Sequence, residues 1–430
     1  MITTAFINIW NKRVGAIAWD FDRRIGLFEF TPSFLFNKWD VAPLKMPMEE
    51  ASGRVFSFAE LRDNQTFKGL PGLLADVLPD KYGNTLINVW LARNGRPANS
   101  LNPVELLCFI GKRGMGALEF EPVEPKVTNG ATKIELDSLV YIAQEILSGR
   151  QDFNADLSAN EEKALIDILR IGTSAGGARA KAVIAYNPVT KEVRSGQTDS
   201  PKGFSHWILK FDGVTDQQFG TSYGYGRVEM AYHLMAKDAG IQMTECQLFE
   251  ENGRAHFMTQ RFDREPGKGK IHVQSFCAMA HYDFNNITGY SYEQLFETMR
   301  SLLLPYSDAE QLYRRMVFNV VARNCDDHTK NFAFLMDKTG HWKLAPAFDV
   351  CHSYRPGSEW VSQHSLSING KRKDITRLDL ISVAKNMNIK KSEQIIDQIV
   401  EIVSRWNTYA EKVFVQDNLK VAIQKTLLNL

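Results

Sequence analysis

The sequence contains few cysteines, and no pattern joins them. Their number is odd, they are widely scattered, and no two form a C-x-x-C pair. This arrangement argues against a disulfide framework and against a structural zinc site, and it is typical of reduced thiols in the cytosol. The five positions are Cys108, Cys246, Cys277, Cys325 and Cys351.

Long apolar runs and one-sided charge are also missing. No uninterrupted apolar stretch reaches membrane-spanning length, and the first residues lack the apolar core of a signal peptide. The net charge is +1 and no five consecutive residues carry like charges, so charge indicates neither a nucleic-acid nor a membrane partner. With 44% hydrophobic and 23% charged residues, the sequence predicts a folded cytoplasmic protein. Its 430 residues exceed one ordinary core, which predicts two or three domains.

The densest polar stretch is Asn-Cys-Asp-Asp-His-Thr-Lys-Asn over residues 324–331. A helix is predicted before it, because apolar residues recur at helical spacing after a capping box formed by Ser307 and Glu310. A β-hairpin is predicted after it, with strands over 331–336 and 342–344. The hairpin should therefore return the chain, and Asp349 with it, to the polar loop.

The spacing within this stretch matches a known catalytic pattern. Asp326 and Asn331 are five positions apart, as are the Asp and Asn of the catalytic loop of protein kinases. In kinases that Asp accepts the hydroxyl proton, the Asn holds one metal ion, and a later Asp holds the other. Asp326, Asn331 and Asp349 fit these roles in order, and carboxylate and amide oxygens suit a divalent cation. A capped turn is the alternative, because Asp, Asn and Thr are common in loops.

Two features upstream favour the catalytic interpretation. The small residues of 173–181 would let backbone amides approach an anion, although a structural turn explains them equally well. In the strand predicted over 206–211, Lys210 alternates with Ile208, so the two side chains point to one face. Glu229 lies on the next predicted helix, in the order of the kinase Lys–Glu pair. We predict that Lys210 pairs with phosphate; a lysine that snorkels to the surface is the alternative.

The predicted fold class is α+β: a two-lobed protein-kinase-like fold with an added N-terminal α+β subdomain and a mostly helical C-lobe. Residues 1–125 form the added subdomain, which opens with a β-meander. Residues 126–262 carry the Gly-rich loop, the lysine strand and an Asn-Gly hairpin, in the order of a kinase N-lobe. Residues 263–430 form the C-lobe with the polar loop, and a long helix is predicted over 392–414.

The chain resembles the HipA family of bacterial serine/threonine kinase toxins, the partners of HipB-type antitoxins. The resemblance extends over nearly the whole length, and the Asp-Asp-His-Thr-Lys-Asn block is its most specific part. The segments that carry it are Gly176 to Lys181, His206 to Lys210, Arg261 to Arg264, Asn324 to Asn331, Ala347 to Asp349 and Leu366 to Arg372.

The resemblance implies ATP and magnesium as cofactors and assigns roles in the polar loop. Asp326 would be the catalytic base. Asn331 and Asp349 would be the magnesium ligands, and His328 and Lys330 would lie against the phosphates.

The resemblance also implies a nucleotide site upstream of the polar loop. Lys210 would pair with phosphate, and the backbone around Gln260 to Phe262 would hold the adenine. Ser174 falls where the family carries an autophosphorylated serine, although Thr173 could be the modified hydroxyl instead. The residues predicted to contact the phosphates from the Gly-rich loop are Ser174, Ala175, Gly176, Gly177, Ala178 and Lys181.

Partners and alternatives complete these expectations. The resemblance implies a HipB-like helix-turn-helix antitoxin, DNA contacted only through that antitoxin, and a protein substrate. Family analogy suggests a translation-related substrate, such as an aminoacyl-tRNA synthetase. Two other functions stay open: a catalytically silent co-repressor that acts on DNA through an antitoxin, and a kinase of small molecules or lipids. The intact set of Lys210, Asp326, Asn331 and Asp349 argues against the silent co-repressor.

Overall fold

A computed structural model describes residues 2–123, 134–147, 159–172, 179–196, 200–216, 220–221, 223–265 and 269–430. The chain divides into two compact units. Unit 1 comprises Met1–Asn37, Met48–Gly226 and Cys246–His272. Unit 2 comprises Lys38–Pro47, Arg227–Glu245 and Val273–Leu430. The domain boundaries proposed above at residues 125 and 262 remain predictions.

Unit 1 begins with the predicted β-meander, which is confirmed. Alternating buried and exposed side chains in the first strand place one face of this antiparallel sheet on the core. The strands, in the spatial order β4-β3-β2-β1-β5, are β1 (Thr4–Ile9), β2 (Lys12–Asp20), β3 (Ile25–Phe30), β4 (Val55–Phe56) and β5 (Leu118–Glu121). The helices of this region are α1 (Gly72–Ala75), α2 (Lys81–Arg93) and α3 (Pro103–Ile110).

A second antiparallel sheet of unit 1 has the strand order β11-β12-β8-β6-β7. Its predicted hairpin is confirmed: Asn252 and Gly253 both adopt positive φ, 44° and 77°, as an Asn-Gly turn requires. Its apolar face shares a core with α2 and two further helices, α4 (Leu136–Leu147) and α5 (Ala159–Gly172). The strands are β6 (Lys181–Tyr186), β7 (Val193–Ser195), β8 (Ser205–Lys210), β11 (Cys246–Glu251) and β12 (Arg254–Gln260). Shorter strands are β9 (Thr215–Asp216), β10 (Gly220–Thr221), β13 (Arg264–Glu265) and β14 (Gly269–Lys270).

Unit 2 is mostly helical around one large apolar core. Its helices are α6 (Tyr225–Asp238), α7 (Phe276–Ala280), α8 (Tyr292–Ser301), α9 (Tyr306–Val321), α10 (Arg377–Met387), α11 (Ser392–Ser404), α12 (Trp406–Lys412) and α13 (Asp417–Gln424). The strands β15 (His272–Ser275), β17 (Ala333–Met336) and β18 (Trp342–Leu344) form one small sheet. A parallel pair joins β16 (Tyr290–Ser291) to β19 (Leu366–Ser367).

Three local predictions in unit 2 need correction. Helix α9 begins at Tyr306 behind an N-cap at Pro305, so Ser307 lies inside the helix and the predicted capping box is wrong. The hairpin strand predicted over 331–336 begins only at Ala333, because 329–331 form a 3₁₀ turn. The continuous helix predicted over 392–414 is also wrong, since the chain breaks at Arg405 between α11 and α12.

Within the described residues, no helix combines the length and the apolar composition needed to cross a membrane.

Candidate functional site

The polar loop follows α9 in unit 2, and its two adjacent aspartates face in opposite directions. The Asp326 side chain is 44% exposed, whereas that of Asp327 is fully buried. Asp327 Oδ2 accepts a hydrogen bond from Tyr292 and lies 2.8 Å from His364 Nδ1, while Oδ1 accepts one from the Ser365 amide. The carboxylate of Asp327 is therefore used inside the fold, and Asp326 is the more exposed of the two acids.

Asn331 and Asp349 lie at the two ends of the β17–β18 hairpin and line one pocket. Asn331 Nδ2 donates to the Asp326 carbonyl at 2.6 Å, so the amide group is oriented through its nitrogen. Asp349 has a left-handed backbone with φ of 52°, a conformation that often marks functional positions. The same pocket is lined by Arg315, Asn319, Asn324 and Asp327, among others.

The oxygen ligands that this pocket offers fit magnesium. Magnesium is usually held by one or two carboxylates together with water and substrate phosphates. One carboxylate from Asp349 and one amide oxygen from Asn331, in a shared pocket, match that requirement.

His328 and Lys330 lie against one aromatic side chain. The rings of His328 and Phe284 are 5.3 Å apart, and Lys330 Nζ lies 5.0 Å from the centre of the Phe284 ring. His328 Nε2 is also 3.8 Å from Asp326 Oδ1. Between them, Thr329 donates its hydroxyl to the Tyr282 carbonyl at 2.8 Å. The segment around Phe284 therefore supports two of the predicted phosphate-facing residues.

In unit 1, two lysines lie opposite each other on neighbouring strands. Lys181 of β6 pairs in register with Lys210 of β8. Lys210 is half-buried, on the same face as Ile208, with its Nζ 5.7 Å from the ring centre of Phe257. Lys181 is only 4% exposed, and its Nζ lies 3.9 Å from Asp80 Oδ2. Lys181 is therefore engaged by an acid of the protein itself, and Lys210 is the more accessible of the two.

The predicted adenine-binding segment begins at the last residue of β12. That residue is Gln260, and Phe262 lies two positions later; both are half-buried. Between them, Arg261 is held by its amide, which donates to the His206 carbonyl at 2.9 Å. The segment therefore has a fixed backbone beside two half-buried side chains.

Asp263 lies at the centre of a buried ionic group next to this segment. It accepts hydrogen bonds from the guanidinium groups of Arg261 and Arg264 and, at 2.7 Å, from the amide of Gly116. Burial acts to raise the pKa of Asp263, but the charges of Arg261 and Arg264 outweigh it and hold the pKa well below its ordinary range. This role is not predicted from the sequence, where Asp263 counts only as part of the run from Arg261 to Arg264 that carries the resemblance.

The predicted site residues thus divide between the two units. Unit 2 brings Asp326, His328, Lys330, Asn331 and Asp349 together around the polar loop. The residues in unit 1 are Lys181, Lys210, Gln260 and Phe262. Ser174, Ala175, Gly176, Gly177 and Ala178 lie outside the described residues, as does Thr173.

The antiparallel sheet of unit 1 and the helical unit 2 define a mixed α+β fold of the protein-kinase-like class. The HipA-like C-terminal domain matches residues 173–406, more than half of the chain, and the HipA N-terminal domain matches residues 5–121. The chain belongs to the HipA family.

Curated relatives carry names of kinases. "Putative kinase Y4mE" of Sinorhizobium fredii is 29% identical over 125 residues, which are 27% of this chain and 30% of that protein. "Putative kinase" of Haemophilus influenzae is 26% identical over 186 residues, which are 40% of this chain and 53% of that protein. The chain thus spans about half or less of the length of these relatives.

A solved structure has the same fold. It is the Shewanella oneidensis MR-1 toxin–antitoxin complex of HipA, HipB and operator DNA. The match has a TM-score of 0.67 and 15% sequence identity, and it covers 98% of this chain and 94% of that one. The mixed α+β, kinase-like fold predicted from the sequence is therefore confirmed.

Proposed function

We propose that this protein is an ATP- and magnesium-dependent serine/threonine protein kinase and the toxin of a type II toxin–antitoxin system. The observation that carries the proposal is the difference in burial between the two aspartates of the polar loop. Asp327 is buried, while Asp326 is half-exposed and its carbonyl accepts a hydrogen bond from Asn331, which lines one pocket together with Asp349. An accessible acid next to an amide and a second carboxylate is what phosphoryl transfer to a hydroxyl requires.

Each residue has a distinct task in the proposed reaction. Asp326 accepts the proton of the attacking hydroxyl, and His328 and Lys330 would lie against the phosphates. Asn331 and Asp349 would hold magnesium, which supplies positive charge against the phosphate oxygens when it is bound. Lys210 would add a second positive charge for the phosphates.

The same proposal includes partners. The solved relative was described as a complex with HipB and operator DNA, which supports a HipB-like helix-turn-helix antitoxin for this chain. DNA would then be contacted only through that antitoxin. The acceptor would be a serine or threonine hydroxyl of a protein, and family analogy favours a translation-related protein such as an aminoacyl-tRNA synthetase.

Phosphoproteomics with Asp326→Ala as the reference tests the proposal. Cell extract is incubated with Mg-ATP and either wild-type protein or the variant, and phosphosites are identified by mass spectrometry. New phosphoserine or phosphothreonine only with wild-type protein supports the kinase. Label found only in small molecules or lipids would favour the other class of kinase. No transfer at all, together with antitoxin-dependent DNA binding, would favour the silent co-repressor.

We predict that Asp349→Ala abolishes magnesium-dependent ATP binding, because it removes the proposed carboxylate ligand. The matched control is Asp337→Ala, which changes the same residue type in the turn of the same hairpin. There Asp337 accepts a hydrogen bond from the Thr339 amide at 2.8 Å. Calorimetry with Mg-ATP should show wild-type affinity for the control and a loss of at least about 100-fold for Asp349→Ala. Equal affinities for the two variants would contradict the metal assignment.

We also propose that the protein inhibits itself by phosphorylating Ser174. A phosphoryl group adds roughly −1.5 to −2 charge beside a site proposed for another polyanion, so it should repel ATP. After incubation with Mg-ATP, mass spectrometry identifies the fraction of protein modified on Ser174. This fraction should bind ATP more weakly, and the Ser174→Ala variant should keep its ATP affinity after the same incubation. Full affinity of the modified fraction would argue against self-inhibition, and phosphate on Thr173 would move the switch to that hydroxyl.

A further inference from the structure

We propose that His364 is a positioning residue for the catalytic loop: its ion pair with Asp327 fixes the backbone from which Asp326 projects. The inference deepens the proposed function and rests on it where catalysis is concerned. The arrangement lies wholly within unit 2. It joins His364 to a loop 37 positions earlier in the chain.

The first step concerns Asp327, both of whose carboxylate oxygens are hydrogen-bonded inside the fold. Its two carboxylate oxygens meet the Tyr292 hydroxyl, the His364 imidazole and the Ser365 amide, all at 2.8 Å. The Tyr292 hydroxyl in turn accepts from Asn319 Nδ2 at 3.0 Å. A carboxylate with this many donors leaves its residue little freedom, and the residue directly before it in the chain is Asp326.

The second step is the charge of the pair. Burial disfavours a charged imidazole, but the adjacent Asp327 carboxylate outweighs it and raises the pKa of His364 to about 10. The Cys325 sulfur, 3.8 Å from His364 Nε2, is the other group that faces the ring. At neutral pH the contact is therefore a buried ion pair, and removing one partner leaves the other charge without compensation.

The third step is that His364 itself is held by a rigid frame. Its amide donates to the Arg372 carbonyl at 2.9 Å, and the following Ser365 donates its hydroxyl to the Cys325 carbonyl at 3.4 Å. The Arg372 guanidinium donates to the carbonyls of Ser365, Ile287, Thr288 and Tyr290. This frame gives a physical task to Arg372, the last residue of the segment from Leu366 to Arg372, which the proposed function leaves without one.

The fourth step connects the anchor to the metal ligand. The Asp326 carbonyl, next to the anchored residue, accepts from Asn331 Nδ2 at 2.6 Å. Displacing Asp327 would therefore move both the proposed base and the Asp326 carbonyl that orients the side-chain amide of Asn331. Small displacements of reacting groups are costly, because a shift of about 1 Å can lower a rate by about 100-fold.

The test compares three variants with wild-type protein. His364→Leu removes the cation and its hydrogen bonds. His364→Asn keeps an amide donor near the position of Nδ1 and should retain part of the bond to Asp327. The control is Ile399→Ala, which removes buried apolar contacts of α11 in the same unit and destabilises the fold without changing the ion pair.

Two measurements are made on each variant. Amide hydrogen exchange of peptides that cover residues 325–332, read by mass spectrometry, reports the order of the loop directly. Steady-state phosphate transfer reports kcat and the KM for ATP. In His364→Leu we expect loop exchange to rise at least about tenfold, kcat to fall about 100-fold and the KM for ATP to rise, because the proposed base and Asn331 both lose their position. His364→Asn should restore a large part of the loop order and of kcat. Ile399→Ala should not raise exchange in the loop selectively, and it should not lower kcat selectively.

The two measurements separate this inference from the proposed function. Loop exchange in His364→Leu no faster than in Ile399→Ala would overturn the positioning role, whether or not the protein is a kinase. A mobilised loop with an unchanged kcat would also overturn it. A mobilised loop in a protein whose wild type transfers no phosphate would support the anchor and refute the kinase.

Discussion

Replacing Asp326 with alanine is expected to lower kcat for phosphate transfer by about 10²–10⁴-fold, the usual contribution of a general base. Affinity for Mg-ATP should stay within about threefold of wild type, because the base acts on the acceptor hydroxyl and the proposed metal ligands are other residues. The Asp326 side chain is 44% exposed, so its loss should cost little folding stability. Steady-state kinetics and calorimetry on the same preparation measure the two effects.

Asp327→Ala is the matched comparison, since it makes the same change one residue along the chain. Asp327 is buried and holds three groups, so its loss should lower the melting temperature, and the activity should fall as a consequence. Asp326→Ala should instead melt as wild type does and still fail to transfer phosphate. A stable, fully active Asp326→Ala protein would refute the assignment of the base.

The sequence predicts most of the elements that position this site, because their signals are local. The β-meander and the Asn-Gly hairpin each follow from side-chain periodicity or turn chemistry within a few residues. The polar loop after a buried helix is predicted for the same reason. The Ser307–Glu310 capping box failed because a competing local signal, Pro305 with its fixed φ, starts the helix earlier.

The opposite directions of Asp326 and Asp327 could not be predicted from the sequence. Two adjacent aspartates are chemically identical, so the local sequence does not indicate which carboxylate is buried. The answer depends on Tyr292, His364 and Ser365, which are 35, 37 and 38 positions away. The spacing of a kinase motif selected Asp326, and the partners that support this choice appear only in the folded chain.

The two lysines of unit 1 illustrate the same limit. Lys181 and Lys210 lie opposite each other on paired strands, and sequence reasoning assigned both to the phosphates. Their environments differ because Asp80, far earlier in the chain, caps α2 through the Gly83 amide and also lies 3.9 Å from Lys181. Lys181 as a phosphate ligand therefore stays a prediction, whereas its contact with Asp80 is a feature of the fold.

Replacing Asp263 with asparagine is expected to destabilise unit 1 by about 3–5 kcal/mol, the range for breaking a buried ion pair from one side. The side chains of Asp263 and Arg261 are both fully buried, and that of Arg264 is 9% exposed. Asparagine keeps the shape but removes the anion that Arg261 and Arg264 share, and its amide cannot accept from all the present donors. Urea denaturation followed by circular dichroism measures the change.

Asp397→Asn is the control, because it breaks a surface ion pair in which Asp397 lies 2.7 Å from Arg377 and is 66% exposed. That change should cost less than about 1 kcal/mol. A loss of similar size in both variants would contradict the importance of burial at Asp263.

The pH dependence of the Asp263→Asn effect gives a second, independent check. Because the pKa of Asp263 in the folded protein is well below its ordinary value, the unfolded chain takes up the proton first as the pH falls. The stabilisation by Asp263 is therefore fully present above about pH 4, near the ordinary pKa of aspartate, and is lost progressively as the pH falls towards the folded value. The stability difference between wild type and Asp263→Asn should be constant from neutral pH down to about pH 5 and should shrink below about pH 4. A difference that instead grows on acidification would mean that Asp263 is protonated in the folded protein, and that its bonds to Arg261 and Arg264 are not ionic.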